Sequence, residues 1–471
     1  MKKHLTIVIK LGSSSIVDEK THEPLLSILT LIVETAVKLH RDGHRVVIVS
    51  SGAIAVGLRR MDLAKRPKLL PKVQALAAIG QCRLISLWDQ LFAHLRQPVA
   101  QILLTRTDIA DRTQYINAQN TFNELLSMGV IPIVNENDTL AVSEIKFGDN
   151  DTLSAITAGM VQADYLFLMT DVDCLYDKNP RTNPDAKAIE VVEDIAELAA
   201  DVSSAGSALG TGGMSTKIVA ARLATSAGVT TVITKSSKPG NIASIVRYAE
   251  AQKAAAAMSL SSSLASLHDN DLTTTSAALP SHTPPPPAIP VTEPSHLSQL
   301  TSSPSSVQTI PAAPLHTRFL PDPRPIRDRY FWLLHGLAPH GTLYIDAGAH
   351  RALCAKAGLL PVGVVDLEGG FAQQEAVRLV VVKRTSNGTV MSTGAAAAWE
   401  KTEAGEVGRA IVNYSSAEIR RIRGLRSTEI AGVLGYADSE YVALRENVAV
   451  LPVERSSRPT TPGLGEKRGG G

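Results

Sequence analysis

The chain of 471 residues is poor in cysteine: it has three, Cys82, Cys174 and Cys354, and they lie far apart. Structural zinc sites and disulfide frameworks need more cysteines, often in pairs at CxxC spacing, and no such pair occurs. The sequence therefore predicts neither kind of site. This usage is typical of a reducing compartment, so we expect a cytoplasmic protein.

Long apolar runs and an excess of one charge are also missing. No stretch approaches the roughly 20 apolar residues of a membrane-spanning helix, so we expect no membrane association. The apolar run near the N-terminus is short and is interrupted by Lys10, unlike the core of a signal peptide. The formal net charge is +2, so bulk electrostatics favours neither nucleic-acid nor membrane binding.

Over its first half, the chain alternates apolar, strand-like runs with stretches of helical periodicity. Strands are predicted at residues 5–10, 46–49, 99–104, 129–135, 165–169 and 229–234, and helices at 25–40 and 114–128. This rhythm predicts an α/β domain with a mainly parallel sheet. Ligands bind such sheets at the carboxyl ends of the strands, where the polar turns of this chain also lie.

Four polar turns carry the residues that could do chemistry. Residues 12–15 form a small turn whose glycine lets backbone N–H groups approach a phosphate, although no GxxxxGK[ST] motif is present. Ser51 lies in the turn after the second strand. The GDND turn at 148–151 is either a helix cap or part of an active site. The glycine-rich run at 210–217 is either an anion site at a helix start or a mobile linker.

The length of the chain predicts two or three domains, and the composition suggests their limits. Residues 1–250 form the α/β domain, and residues 251–325, rich in Ser, Thr, Ala and Pro, are predicted to be a disordered linker. Residues 326–453 resume globular character, and residues 454–471 are predicted to be a disordered tail. A basic cluster in this last globular segment is either a solvated helix face or an RNA contact. It consists of Arg420, Arg421, Arg423 and Arg426.

The stretches VIKLGSSS, SSGAIAVG, PIVNENDTLAV, FGDNDTLSA, TDVDCLYDKNP and GTGGMSTKIVAA, in this order, resemble the glutamate 5-kinase group of the amino acid kinase family. GRAIVNYSSAEI resembles part of a PUA domain. The resemblance implies a three-layer amino acid kinase fold with a mainly parallel sheet, followed by a small, mainly-β PUA-like domain. Cys174 stands where many family members carry glycine. The long linker is unusual for bacterial relatives and suggests a fungal type of sequence.

The resemblance also implies a reaction, the phosphorylation of the side-chain carboxylate of L-glutamate by ATP. The product, L-glutamyl 5-phosphate, opens proline biosynthesis, and feedback inhibition by proline is expected. A carboxylate with a reference pKa of about 4.3 is already ionised at neutral pH, so it needs no general base. The site must position the reactants and neutralise phosphoryl charge. Mg²⁺ would be held chiefly through the phosphates.

By resemblance, the catalytic residues are Lys10, Lys217 and Asp149, with Asp149 orienting both lysines. We expect both lysines to be exposed in the cleft, so that folding survives their loss. L-glutamate is assigned to Ser51, Asp138 and Asn150; Asp138 can accept from the ammonium, and the other two can donate to carboxylates. The residues assigned to ATP are Lys10, Gly12, Ser13, Thr170, Asp171, Thr211, Gly212, Gly213, Met214, Ser215, Thr216 and Lys217.

The resemblance further implies a homo-oligomer, a dimer or a tetramer, with association with the next enzyme of the proline pathway as a further partner. RNA binding through the PUA-like domain is a third implied interaction. Two other classes of function stay open: a sister kinase acting on aspartate, acetylglutamate, carbamate or UMP, and a non-catalytic RNA-associated protein. Because every site stretch lies before residue 235, we also expect a chain ending near Glu250 to fold.

Overall fold

The computed structural model describes residues 4–140, 150–180, 182–195, 198, 213–269, 312–326, 328–384 and 399–451. In these ranges the N-terminal part alternates strands and helices, as the apolar pattern predicts. Its elements are β1 (Thr6–Leu11), α1 (Ser13–Ile16), α2 (Leu26–Arg41), β2 (Arg45–Ser50), α3 (Ala53–Arg60), α4 (Leu70–Ala93), β3 (Val99–Leu104), α5 (Arg106–Ala110), α6 (Arg112–Ser127), β4 (Ile131–Glu136), α7 (Asn150–Met160), β5 (Tyr165–Thr170), β6 (Leu175–Tyr176), β7 (Ala188–Ile189), β8 (Val191–Val192), α8 (Met214–Ser226), β9 (Thr230–Lys235), α9 (Asn241–Asp269) and β10 (Thr317–Phe319).

One sheet of eight strands runs through this part, in the order β3-β4-β2-β1-β5-β9-β10-β8. The strands from β3 to β9 are parallel neighbours, and β10 pairs with β9 in the antiparallel sense. The prediction of a mainly parallel sheet is confirmed. Because consecutive parallel strands need crossover connections, the helices between them cover both faces of the sheet.

The two faces of the sheet can be followed along β1, which is buried throughout. Side chains alternate between the faces of a strand, so Ile7 and Ile9 pack into one hydrophobic core and Val8 packs into the other. The core around Val8 is covered by α6, α7 and α8, and the core around Ile7 by α2, α4 and α9. Lys10 has the same parity as Val8, so its side chain belongs to the face of α7 and α8.

The predicted linker over 251–325 is wrong at both ends. Helix α9 continues to Asp269, and β10 inserts between β9 and β8 in the sheet. The hydroxyl of Thr317 donates to the carbonyl oxygen of Ile189 at 2.6 Å and accepts from the backbone N–H of Leu175 at 2.7 Å. A strand of three residues is too short for its apolar alternation to stand out among prolines and serines. Residues 270–311 lie outside the described ranges.

The C-terminal part forms a separate five-stranded sheet in the order β12-β11-β13-β14-β15, in which only β11 and β13 are parallel. The prediction of a small, mainly-β domain is confirmed. Across both domains, none of the described helices is long and apolar enough to cross a membrane. The elements of the C-terminal part are α10 (Asp328–Phe331), β11 (Gly341–Asp346), α11 (Ala347–Cys354), β12 (Val364–Gly369), β13 (Ala376–Arg384), β14 (Trp399–Ile411), α12 (Ser416–Ile422), α13 (Ile430–Leu434) and β15 (Val448–Val450).

The predicted basic cluster lies on and after α12, and three of its arginines are engaged inside the C-terminal domain. Arg423 forms an ion pair with Asp366, and the guanidinium groups of Arg420 and Arg421 donate to backbone carbonyl oxygens. These contacts fix the helix against its own domain. The predicted disordered tail at 454–471 lies outside the described residues.

The two domains share a hydrophobic core. Phe331 and Trp332, at the start of the C-terminal part, are buried in the same core as α7, together with Ala376 and Ala449 of the C-terminal sheet. The indole N–H of Trp332 donates to the carbonyl oxygen of Ile109 at 2.9 Å. A chain ending near Glu250, which we expect to fold, would lack both β10 and this segment, although both belong to the packing of the N-terminal domain.

Phe331 is predicted to contribute strongly to the stability of the whole chain. Its side chain is 2% exposed, whereas that of the neighbouring Tyr330 is 44% exposed. Phe331→Ala should lower the free energy of unfolding by about 3–5 kcal/mol, the usual cost of emptying a buried aromatic site. Tyr330→Ala serves as the control and should change it by less than about 0.5 kcal/mol. Urea unfolding measures both; equal effects would show that the shared core does not stabilise the chain.

Candidate active site

The carboxyl ends of the central parallel strands meet the N-termini of α7 and α8, and most of the predicted site residues lie there. Lys10 is near the end of β1, Ser51 directly follows β2, and Thr170 ends β5. Asn150 begins α7, and Lys217 lies in the first turn of α8. Parallel strands end at one edge of the sheet, so residues distant in sequence are brought to one place.

A buried ion cluster joins β1, α7 and α8. The ammonium group of Lys10 forms an ion pair with Asp151 Oδ1, and Lys217 Nζ lies 3.3 Å from Asp151 Oδ2. The hydroxyl of Thr216 lies 2.8 Å both from Asp151 Oδ2 and from the carbonyl oxygen of Gly213. One carboxylate therefore orients both lysines and fixes the start of α8.

The cluster holds two ammonium groups and one carboxylate in a site closed to water. Burial by itself raises the pKa of Asp151, but the charges of Lys10 and Lys217 and hydrogen bonds from Lys10 and Thr216 outweigh it. The pKa of Asp151 therefore lies below its ordinary value, and the carboxylate is ionised at neutral pH. It contacts both ammonium groups. An anionic group bound beside the cluster would be stabilised by these two positive charges.

One expectation about these residues needs revision. Both lysines were expected to be exposed, but Lys10 is 4% exposed and Lys217 is 7% exposed, because they are buried between β1, α7 and α8. The role expected for Asp149 in orienting the lysines stays a prediction, because Asp149 lies outside the described residues; within them, the carboxylate that contacts both lysines is that of Asp151. In the sequence, Asp151 has the features of an ordinary helix cap, and nothing local distinguishes the two aspartates.

The turn after β1 leaves room beside the Lys10 ammonium group. Gly12 precedes the single turn of α1, and a Cβ added to it would lie 3.9 Å from Lys10 Nζ and from Ser15 Oγ. The backbone of Gly12 is extended, with φ of −75°, so the glycine is not required by its backbone conformation. The missing side chain instead keeps a small space open next to the ammonium group, which fits the approach of a phosphoryl oxygen.

The predicted nucleotide residues lie on two sides of this space. Gly213 precedes α8, no side chain caps the helix, and no acidic residue stands in its first turn, so its N–H groups and Lys217 favour an anion. Thr170 donates to Asp171 Oδ1 at 3.1 Å after β5. Met214, Ser215 and Thr216 begin α8, Ser13 begins α1, and Thr211 and Gly212 lie outside the described residues.

Two of the three predicted amino-acid residues, Ser51 and Asn150, meet at the start of α7. Asn150 Nδ2 donates to Ser51 Oγ at 2.7 Å and to Asn135 Oδ1 at 3.0 Å. Asp138 lies in the turn after β4, three residues beyond Asn135, and is half-buried. Burial raises the pKa of Asp138, and the charge of Arg66 opposes that effect. The structure thus brings Ser51 and Asn150 into contact and adds Asn135, which the sequence interpretation missed.

Metal binding by the protein alone has little support in this part of the molecule. Among the described residues, no group of three or more His, Cys, Asp and Glu side chains could hold a metal ion. The acidic residues at the site, Asp151 and Asp171, are engaged by lysines or by neighbouring groups. A divalent cation would have to take most of its ligands from bound phosphate groups and water.

Comparison with known proteins identifies the family. Residues 5–235 match the model of the "Amino acid kinase family", and residues 341–434 match the "PUA domain". The chain is 51% identical to the "Probable glutamate 5-kinase" of Schizosaccharomyces pombe over 95% of this chain and 94% of that protein. The chain belongs to the amino acid kinase family.

Bacterial members of the family are also similar over almost the full length. The glutamate 5-kinase of Cyanothece sp. is 42% identical over 94% of this chain and 99% of that protein. That of Nostoc punctiforme is 41% identical over 95% of this chain and 99% of that protein. The likeness therefore includes both domains, and the chain is an enzyme of the kinase class with a C-terminal PUA domain.

The charges of the buried cluster predict an unequal response to substitution. Asp151→Asn removes the carboxylate that both buried ammonium groups contact and should cost about 3–5 kcal/mol of stability, as for other buried pairs that lose one partner. Lys10→Met should cost less, because Asp151 keeps Lys217 and Thr216. The double variant, Lys10→Met with Asp151→Asn, should be more stable than Asp151→Asn alone, since one of the two mutually repelling ammonium groups is gone.

Urea unfolding and kinase turnover test this prediction together. Turnover should fall by about 10²-fold or more in all three variants, because each lacks a group that organises charge in the site. Asp173→Asn is the control, since Asp173 pairs with Lys235 at 3.1 Å but both side chains are about one-third exposed. It should cost less than about 1 kcal/mol. Additive stability losses in the double variant would contradict the charge argument.

Proposed function

We propose that this kinase transfers the γ-phosphoryl group of ATP to the side-chain carboxylate of L-glutamate, giving L-glutamyl 5-phosphate. The observation that carries the proposal is the buried cluster of Lys10, Asp151 and Lys217 beside the open space at Gly12. The names of the similar proteins support glutamate as the acceptor.

The chemistry needs positioning and charge neutralisation rather than a base. The acceptor carboxylate is ionised at neutral pH, so no proton has to be removed from it. The negative charge that spreads over the transferring phosphoryl oxygens would be met by Lys10 and Lys217, whose positions are fixed by Asp151 before any ligand binds. Such preorganisation avoids the cost of reorienting the lysines during the reaction.

The two substrates would enter from the two sides of the ion cluster. ATP would lie along the start of α8 and the end of β5, with Thr170, Asp171 and residues 211–217 around it and Gly12 and Ser13 near its γ-phosphate. L-glutamate would lie against Ser51, Asp138 and Asn150 at the start of α7. Mg²⁺ would be held chiefly by the nucleotide phosphates, and it would add positive charge at the transferring group.

The wider role follows from the product. Glutamyl 5-phosphate is the first intermediate of proline biosynthesis, and a cytoplasmic, homo-oligomeric enzyme that associates with the next enzyme of the pathway fits this role. The PUA domain fits RNA binding, which would be a separate property of the C-terminal domain. Neither of these associations is required for the chemistry at the end of the sheet.

Turnover of ATP with and without L-glutamate tests the proposal. The acyl phosphate should be trapped by hydroxylamine as a hydroxamate, and its formation should require both ATP and L-glutamate. Aspartate, N-acetylglutamate, carbamate and UMP serve as the acceptor panel. A preference for any of these over L-glutamate would assign the chain to another branch of the family, and no transfer at all would favour the non-catalytic alternative.

Proline should inhibit by competing with L-glutamate, because it shares the α-carboxylate and the α-nitrogen. The apparent KM for L-glutamate should then rise with proline concentration while the maximal rate and the KM for ATP stay the same. Asp138→Ala provides a second readout and should weaken saturation by L-glutamate far more than saturation by ATP. Inhibition that persists at saturating L-glutamate would contradict overlapping sites.

A further inference from the structure

A chain of side-chain amides runs from helix α4 into the amino-acid end of the site. Asn135, which is 3% exposed, donates through Nδ2 to Gln81 Oε1 at 2.8 Å. Its Oδ1 accepts from the backbone N–H of Glu136 at 2.9 Å and from Asn150 Nδ2 at 3.0 Å. Asn150 Nδ2 also donates to Ser51 Oγ at 2.7 Å. No catalytic step described above uses Gln81 or Asn135.

The backbone N–H of Glu136 decides which end of each side-chain amide in this hydrogen-bonded series is the donor and which is the acceptor. A backbone N–H can only donate, so the atom of Asn135 that faces Glu136 must be the carbonyl oxygen. The other end of the Asn135 amide is then a donor, and Gln81 must present its own oxygen to it. The atom of Asn150 that meets Asn135 Oδ1 must be nitrogen, because two carbonyl oxygens would repel each other.

The carbonyl oxygen of Asn150 is consequently turned away from the chain. Asn150 Oδ1 is buried, and no donor among the described residues lies within hydrogen-bonding distance of it. A buried acceptor of this kind costs free energy until a donor reaches it. Both hydrogens of Asn150 Nδ2 are already used by Ser51 and Asn135, so this residue can offer a ligand an acceptor and nothing else.

The two ends of the amide chain are held by a close helix pair. Gly80 precedes Gln81 in α4, and a Cβ on Gly80 would lie 1.7 Å from the carbonyl oxygen of Ala53 at the start of α3. A Cβ on Gly57 would likewise lie 2.1 Å from the carbonyl oxygen of Leu76. The backbones of α3 and α4 therefore touch, which fixes Gln81 relative to Ser51, two residues before the start of α3.

We propose that Gln81 is a positioning residue that, together with the backbone N–H of Glu136, holds the orientation of the Asn135 and Asn150 amides, so that Asn150 accepts a hydrogen bond from the ammonium group of the amino-acid substrate. The identity of that amino acid rests on the proposed function. The assignment reverses the expectation that Asn150 donates to a carboxylate. It makes this end of the site selective for a cationic group, and a ligand without an ammonium group gains nothing there.

Loss of the acceptor at Gln81 leaves the backbone N–H of Glu136 to hold the orientation of the Asn135 amide without it. In Gln81→Met, Asn135 Nδ2 has no partner at that end, so rotation of both asparagine amides costs less than before. After such a rotation Asn150 would point its NH₂ group at the ligand and repel an ammonium group. Methionine has similar length and high helix propensity, so α4 is retained. Gln81→Glu keeps an acceptor oxygen in place and is the conservative variant.

The experiment compares ligands that differ only in the ammonium group. In Gln81→Met, the KM for L-glutamate should rise by about tenfold, the effect of one badly matched buried hydrogen bond. The inhibition constant of glutarate, which lacks the ammonium group, should stay unchanged, as should the KM for ATP and kcat. Gln81→Glu should stay close to the unchanged protein. The matched control is Gln90→Met, at an exposed position of the same helix.

Each outcome decides one point. Equally weakened binding of L-glutamate and glutarate in Gln81→Met, or a fall in kcat alone, would mean that Gln81 only supports the structure. Either result would overturn the proposal, and so would an unchanged KM for L-glutamate in Gln81→Met. The rise in melting temperature caused by each ligand can be measured without turnover, and two pairs differ only in the ammonium group: L-glutamate and glutarate, and L-aspartate and succinate. A preference for the ammonium-bearing ligand that is lost in Gln81→Met would uphold the inference even if L-glutamate is not phosphorylated, so the two proposals fail separately.

Discussion

A single buried carboxylate, Asp151, sets the arrangement on which the site depends. Two lysines from different elements, Lys10 on strand β1 and Lys217 on helix α8, both contact it. Neither lysine could be buried alone, because an isolated ammonium group is costly in a water-poor interior. The packing of α7 and α8 against β1 is therefore tied to charge as well as to apolar surface, and the stable fold already contains the charges that phosphoryl transfer requires.

The rest of the architecture serves to bring these groups to one edge. Parallel strands place Lys10, Ser51, Asn135 and Thr170 at the same end of the sheet, although they are separated by long crossover connections. The short strand β10 and the segment at Phe331 complete the same domain, although both come after residue 311 in the sequence. The catalytic domain is consequently continuous in space but not in sequence.

The sequence was sufficient for the elements with long apolar runs and insufficient where single contacts decide. Strands such as 165–169 stand out because every residue is apolar, and the structure extends that strand by only one residue. Asp149 and Asp151 are neighbours with the same chemistry, and only the packing of α7 on β1 shows that Asp151 lies between the lysines. The burial of Lys10 could not be predicted either, since it depends on α7 and α8, which pack against β1 but come much later in the sequence. The short strand β10 has too few residues to show a period.

Helix α7 connects two regions that otherwise have separate surroundings. Its first residues, Asn150 and Asp151, contact the site, and near its last turn a Cβ on Gly159 would lie 2.5 Å from the ring of Phe331. An α-helix of this length behaves as a stiff rod of roughly 15 Å, with a rise of about 1.5 Å per residue. The residue that begins the amide and ion contacts of the site and the glycine that lies against Phe331 are therefore about 14 Å apart on one continuous helix. The C-terminal domain thus packs on the same helix that carries Asn150 and Asp151.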